Sequence, residues 1–182
     1  MLGITAISHI MHYGTQKKIV GISLVLGTEP DAMKWFNSSW EVIHKKSGEY
    51  WDLLVPRKDG SGILGQFDDE LTMDILSLYG LSEEDTPCIV LDNFDDTRNQ
   101  YVISFDGTDK ERKSTLIKLA KSIKKHVDNT TDSERGGLWR AKVIDLVHND
   151  MVKSSLTEVV WRSTPKALSL LAKSFAKWPA PH

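Results

Sequence analysis

The chain of 182 residues contains one cysteine, Cys88. One thiol supports neither an intrachain disulfide framework nor a multi-thiolate zinc site, and it fits a reducing compartment. Apolar runs of the ~18 residues that a membrane-crossing helix needs are missing as well. The apolar start, Met1–Tyr13, lacks the cationic opening and small-residue cleavage site of a secretory signal and carries His9 and His12 inside it. A cytoplasmic protein with no membrane partner is the expectation. The glycines of Arg57–Gly65 are not followed by Gly-Lys-Ser/Thr, so this is not a phosphate loop. Neither a Gly-x-Ser-x-Gly elbow nor a Cys/His nucleophile pair in a recognisable setting is present.

What remains is ordinary for a globular domain: 40% hydrophobic and 26% charged residues, enough to bury a core without staples. The net charge of −2 conceals an asymmetry. Residues 1–135 hold 16 Lys/Arg against 22 Asp/Glu, and residues 136–182 hold 7 against 3. An acidic body with a basic tail is expected to fold the tail back on itself. Nucleic acid is not an expected partner.

Hydrophobic patterning supplies the elements. Ile19–Leu26 is nearly all apolar and β-branched, which marks a strand buried on both faces. Thr28 then stands where a cap would, and Met33, Phe36, Trp40 and Ile43 predict one helix from about Glu29 to Lys46. Tyr50–Val55 reads as a strand stopped by Pro56, and Arg57–Gly65 as a polar loop. Asp68, Asp69 and Glu70 suit the start of a helix through Leu71, Ile75, Leu78 and Tyr79. Cys88–Leu91 and Gln100–Phe105 are two further strands, close enough for a hairpin. Thr108 to Glu111 is a capping box opening a long helix, with Leu116, Leu119, Ala120, Ile123 and Val127 on its buried stripe. Asn129–Gly137 reads as a linker. Trp139, Val143, Leu146 and Val147 predict a helix, Leu156–Arg162 fits helix or strand, and Thr164–Pro165 starts a last helix with Leu168, Leu171, Phe175 and Trp178 on one stripe.

The stretch Leu78-Tyr-Gly-Leu-Ser-Glu-Glu-Asp-Thr-Pro-Cys-Ile-Val-Leu91 resembles the thioredoxin segment in which a Tyr-Gly pair, polar residues and a cis-proline precede the third strand. The turn Phe105-Asp-Gly-Thr108 resembles the glycine turn before the last helix of that family. Over residues 19–127 the resemblance implies an α/β fold, a thioredoxin-like mixed β-sheet flanked by helices. To it are added an arm or extra strand (1–18), a linker (129–137) and a C-terminal helical extension (138–182). The turn that carries Cys-x-x-Cys in thioredoxins here reads Gly27-Thr-Glu-Pro-Asp-Ala32, so two-thiol exchange is excluded. The strand after Pro87 also lacks the Glu-Ser pair of the glutathione-transferase type.

The resemblance implies a binding surface. In the family, the backbone of the residue before the cis-proline pairs with an extended ligand segment. By position that residue is Thr86, flanked by Pro87, by Thr28, Glu29 and Pro30, and by Asp106 and Gly107. The expected function is therefore a non-catalytic protein- or peptide-binding adaptor. Two alternatives stand beside it: a structural subunit assembling with itself through the C-terminal helices, or a non-redox enzyme using Asp92, Asp95 and Asp96 or Asp68, Asp69 and Glu70. Neither carboxylate group has calcium-loop spacing, and His9 with His12 lacks a third ligand, so no metal or cofactor is expected. His44, His126 and His148 read as single surface or helix-end residues, and Cys88 as buried packing.

Overall fold

The computed structural model describes residues 1–14, 18–47, 50–59, 65–94, 99–130, 139–153 and 159–163. Its centre is a six-stranded mixed sheet of strands β1 (Leu2–Ile4), β2 (Ile19–Leu24), β3 (Trp51–Pro56), β4 (Cys88–Asp92), β5 (Asn99–Ser104) and β6 (Val159–Ser163). Their spatial order is β1-β3-β2-β4-β5-β6. The first three run parallel, and β4, β5 and β6 are each antiparallel to the neighbour before them. This is an α/β domain whose mixed sheet is flanked by helices, consistent in general terms with a thioredoxin-like topology. Beyond the resemblance, β6 extends the antiparallel side. Residues 159–163 thus take the strand form of the two that Leu156–Arg162 allowed.

Helices lie on both faces. One layer holds α1 (Ile7–Gly14) and α4 (Asp69–Leu78). The other holds α2 (Pro30–Ser38), α3 (Trp40–Ser47), α5 (Asp109–Asp128) and α6 (Trp139–Lys153). Successive strand residues point to opposite faces, and the two cores sort accordingly. Leu53, Val55, Ile89, Leu91, Tyr101 and Ile103 meet the α5 layer, whereas Val20, Ile22, Leu54, Cys88, Val90 and Val102 meet the α1/α4 layer. Every residue of β2 and β4 is buried, as strands covered on both sides must be.

Four expectations need correction. The single helix over 29–46 is two helices, broken at Ser39, where the Ser38 hydroxyl donates to the Trp35 carbonyl at 3.1 Å and competes with the helical ladder. The Trp40 side chain lies outside the described set. Thr28 does not cap α2. Glu29 occupies the cap position, and its carboxylate accepts from the Leu26 N–H at 2.8 Å, behind the helix rather than within it. Pro56 is not the residue after β3 but its last one, opposite Ile4 of β1 and beyond the Ile22–Leu54 limit of the β2 ladder, so no bond to β2 is lost. Arg57 is not loop surface either. It is fully buried, bridges to Phe67, lies 3.9 Å over that ring and donates to Asn37 Oδ1 at 2.9 Å and to the Gly65 carbonyl. It ties together the two ends of a segment whose middle, 60–64, lies outside the described residues.

The described parts of the basic tail, α6 and β6, pack on the domain. Trp139, Val143, Ile144, Val147 and Met151 of α6 are buried in the α5-layer core, although Leu146 of the predicted stripe is 39% exposed. Two histidines taken for surface residues take part in this docking. His148 stacks on the Tyr101 ring at 4.2 Å, and His126 lies against Asp150 at 3.0 Å. The predicted linker and terminal helix lie almost wholly outside the described residues. Among the described residues no helix is long and apolar enough to cross a membrane.

Asp150 is the polar clasp between α5 and α6. Burial opposes its ionisation, but bonds from Lys125, His126 and Ser122, each at 3.0 Å, outweigh that and hold its carboxyl at about 2. A depressed carboxyl contributes stability above its unfolded value, lost as pH falls through the folded one, so the window is about pH 4 to 2. With the side chain 32% exposed, solvent screening reduces the clasp to about 1–2 kcal/mol. Asp150→Asn should lose that amount at pH 7 in urea titrations and nothing at pH 2.

Gly21 and Ser23 of β2 give opposite expectations two residues apart. A Cβ at Gly21 would meet Trp51 Cζ3 at 3.0 Å and both Ile89 and Leu53 at 3.3 Å. Gly21→Ala should therefore cost about 1–3 kcal/mol by overpacking. The Ser23 hydroxyl is buried with no partner among the described residues. Ser23→Ala removes that unmet donor and should stabilise by about 1 kcal/mol in the same titration.

Candidate functional site

Strand register brings three chain segments to one end of the sheet. Leu24 pairs with Cys88, and Cys88 pairs with Ser104. The residues just outside that row are those leaving β2, those entering β4 and those leaving β5. They include all seven positions named from the sequence: Thr28, Glu29 and Pro30; Thr86 and Pro87; Asp106 and Gly107. Thr28, Pro30, Asp106 and Gly107 are exposed, Glu29 and Thr86 half-buried, and Pro87 buried.

Local chemistry fixes each segment. Ser82, Glu83, Glu84 and Asp85 form a turn of 3-10 helix closed by a capping box, with Asp85 accepting from the Ser82 N–H at 2.8 Å. The turn delivers the chain to a cis Thr86–Pro87 peptide. The Pro87 carbonyl then accepts from the Phe105 N–H at 2.7 Å, locking the entry of β4 to the exit of β5. Gly107 has φ of +108°, a conformation that side chains resist, and its N–H bonds the Asp106 carboxylate at 2.7 Å. The Thr108–Glu111 capping box follows, with Glu111 accepting from the Thr108 N–H at 2.7 Å.

Thr86 offers half of the expected main-chain pairing. Its N–H is already bonded to the Glu83 carbonyl at 3.1 Å. Its carbonyl receives no donor among the described residues, so the acceptor side is the one open to a ligand. The Thr86 hydroxyl donates to the Glu83 carbonyl at 2.7 Å.

Glu29 is the one named residue with a perturbed carboxyl. Burial pushes it above the usual glutamate range and the Asp106 charge adds to this, while the Leu26 N–H, Thr86 and Arg112 act against it. Arg112 was not foreseen. It is 6% exposed, and its guanidinium donates to the Phe105 carbonyl at 3.2 Å and to Asp109 at 3.3 Å. Together with Asp31, Lys34, Trp35 and Gly107 it lines a groove of about 400 Å³ between the start of α2 and the start of α5. The signal for Arg112 was available, since the apolar stripe at 116, 119 and 123 extends back to a buried position there.

The carboxylate groups of the enzyme alternative have local structural work. Asp68 caps α4 by accepting from the Leu71 N–H at 3.0 Å, Asp69 accepts from the Gly27 N–H at 2.9 Å, and Glu70 is exposed in the first turn. Asp92 is buried, accepting from the Tyr79 hydroxyl at 2.7 Å and the Phe94 N–H at 2.8 Å. Asp95 and Asp96 lie outside the described residues. Among the described residues no three His, Cys, Asp or Glu side chains cluster as metal ligands. The only thiol, Cys88, is fully buried, and a dithiol oxidoreductase mechanism is excluded. Compared with family models, with curated proteins and with solved structures, the chain matches none.

A raised carboxyl makes the ionised form the costly one in the fold. The cost at Glu29 is absent below its unfolded value and fully present above its folded one. Glu29→Gln keeps an acceptor for the Leu26 N–H and removes that cost. Its melting temperature relative to the parent should rise once pH passes the ordinary glutamate value and level off above the folded one. A difference independent of pH would show that Glu29 is not under this strain.

Proposed function

We propose that the chain is a redox-silent, thioredoxin-like binding module that takes an extended protein or peptide segment at the end of the sheet formed by Thr28–Pro30, Thr86–Pro87 and Asp106–Gly107. The observation that carries the reading is a Thr86 carbonyl with no donor among the described residues, at the end of the sheet where Gly107 lines a groove of about 400 Å³. An extended segment needs main-chain partners for affinity and a recess for side chains to be selective. This end of the sheet offers one of each, on a frame held by strand pairing rather than by a ligand. Of the C-terminal helices that the homo-oligomer alternative would use, α6 has its stripe in the domain's own core, and the stripe Leu168, Leu171, Phe175 and Trp178 lies outside the described residues.

The test is selection from a displayed random octapeptide library on the purified chain, followed by amide shift mapping on isotope-labelled protein. Shifts should concentrate at Thr28–Asp31, Thr86 and Asp106–Thr108. Thr28→Arg, at an exposed position, should obstruct the approach and weaken selected peptides about tenfold, or about 1.4 kcal/mol. Shifts centred on another surface, or binding indifferent to Thr28→Arg, would remove the groove as the site.

A further inference from the structure

The groove carries opposed charges that are not equally available. Of its two cations, Arg112 is turned inward, bonded to the Phe105 carbonyl and Asp109 and almost wholly buried. Lys34 is exposed, as is the adjoining Lys110 in the first turn of α5. The anions outnumber them. Asp31 of the lining and the adjoining Asp106 are exposed, Asp109 is exposed but shared with Arg112, and Glu29 is half-buried. Glu83 and Glu84, on the 3-10 turn that leads into Thr86, are exposed as well. A ligand lying along this end of the sheet would therefore meet more carboxylates than cations. Glu29 shows the effect of its surroundings: burial first, and the charge on Asp106 in addition, lift its carboxyl above the usual range. An arriving cation would relieve that repulsion, and an arriving anion would deepen it.

We infer that the segment recognised at this groove is basic, an extended stretch with Lys or Arg at alternate positions. The inference rests on the binding reading above and adds to it the chemistry of the partner. Alternation follows from strand geometry, in which every second side chain points to the same side. The open Thr86 carbonyl accepts a main-chain N–H, and the cations on either side of that residue reach the carboxylates. Such contacts lie at a solvated rim, where each is weak and sensitive to salt. Their effect is discrimination between partners more than tight binding.

The test uses three fluorescein-labelled octapeptides alternating valine with lysine, threonine or glutamate, titrated by anisotropy against the full chain in low and moderate salt. The lysine peptide should bind at least tenfold tighter than the threonine peptide at low salt, with the gap narrowing as salt rises. The glutamate peptide should bind weakest. Glu29→Gln combined with Asp106→Asn should weaken the lysine peptide about fivefold to tenfold. A charge change far away, Asp128→Asn, should leave it unaltered, since Asp128 lies about 28 Å along α5 from Asp109. Equal binding of the lysine and threonine peptides overturns the inference, as does equal weakening by the double variant and by Asp128→Asn or no binding of the lysine peptide below about 1 mM. Display-selected peptides that map to the groove without excess Lys or Arg would overturn the charge argument and leave the groove standing. Peptides mapping elsewhere would sink the groove itself.

Discussion

The fold hangs on the antiparallel pairing of β2 with β4. These two strands are the middle of the sheet, every residue in both is buried, and each layer of helices is built against one of their faces. The pairing also settles register. Side chains alternate with a period of two, so a slip of one residue would turn Val20, Ile22 and Leu24 from the α1/α4 layer into the α5 layer. It would put their bulk where Gly21 and Ser23 now admit Trp51, Leu53 and Ile89. The small residues of β2 thus specify position as firmly as its large ones, and the row Leu24–Cys88–Ser104, which gathers the candidate site, is a direct product.

Legibility in the sequence followed the range of the interaction. Local, periodic signals were readable: the Thr108–Glu111 box, the five-residue stripe of α5, the carboxylates at the start of α4 and the apolar runs of β2 and β4. The seven positions proposed for binding come from the ends of strands and helices, and they lie together at one end of the sheet. What escaped depends on contacts distant in sequence. Arg57 looks like loop surface until the ring of Phe67 and the amide of Asn37 are brought to it. His126 and His148 look solitary until α6 supplies Asp150 and lies against Tyr101. The break at Ser39 was missed because the apolar stripe continues across it, and periodicity is blind to serine hydroxyls that bond their own backbone. Arg112 is intermediate, since its place on the stripe was visible but its partners were not.

The charged groups divide into two kinds of work. Those at Asp92, Asp150, Arg57 and Arg112 bond to groups of the protein itself, and they fasten one element to the next. Those at Asp31, Asp106, Asp109, Glu83 and Glu84 face solvent around a recess and fasten nothing across the fold comparable to the Asp150 clasp. Glu29 stands between the groups, half-buried, bonded behind its own helix and repelled by a neighbour. A protein with an excess of carboxylates in its body has placed several of them around one end of one sheet.

The lone sulfur has a practical side. Because Cys88 is fully covered and every other position lacks a thiol, a maleimide can reach the chain only when the central strands part. Its labelling rate then reads the frequency of that opening with no engineered probe, and a cysteine introduced at the rim would react against a silent background.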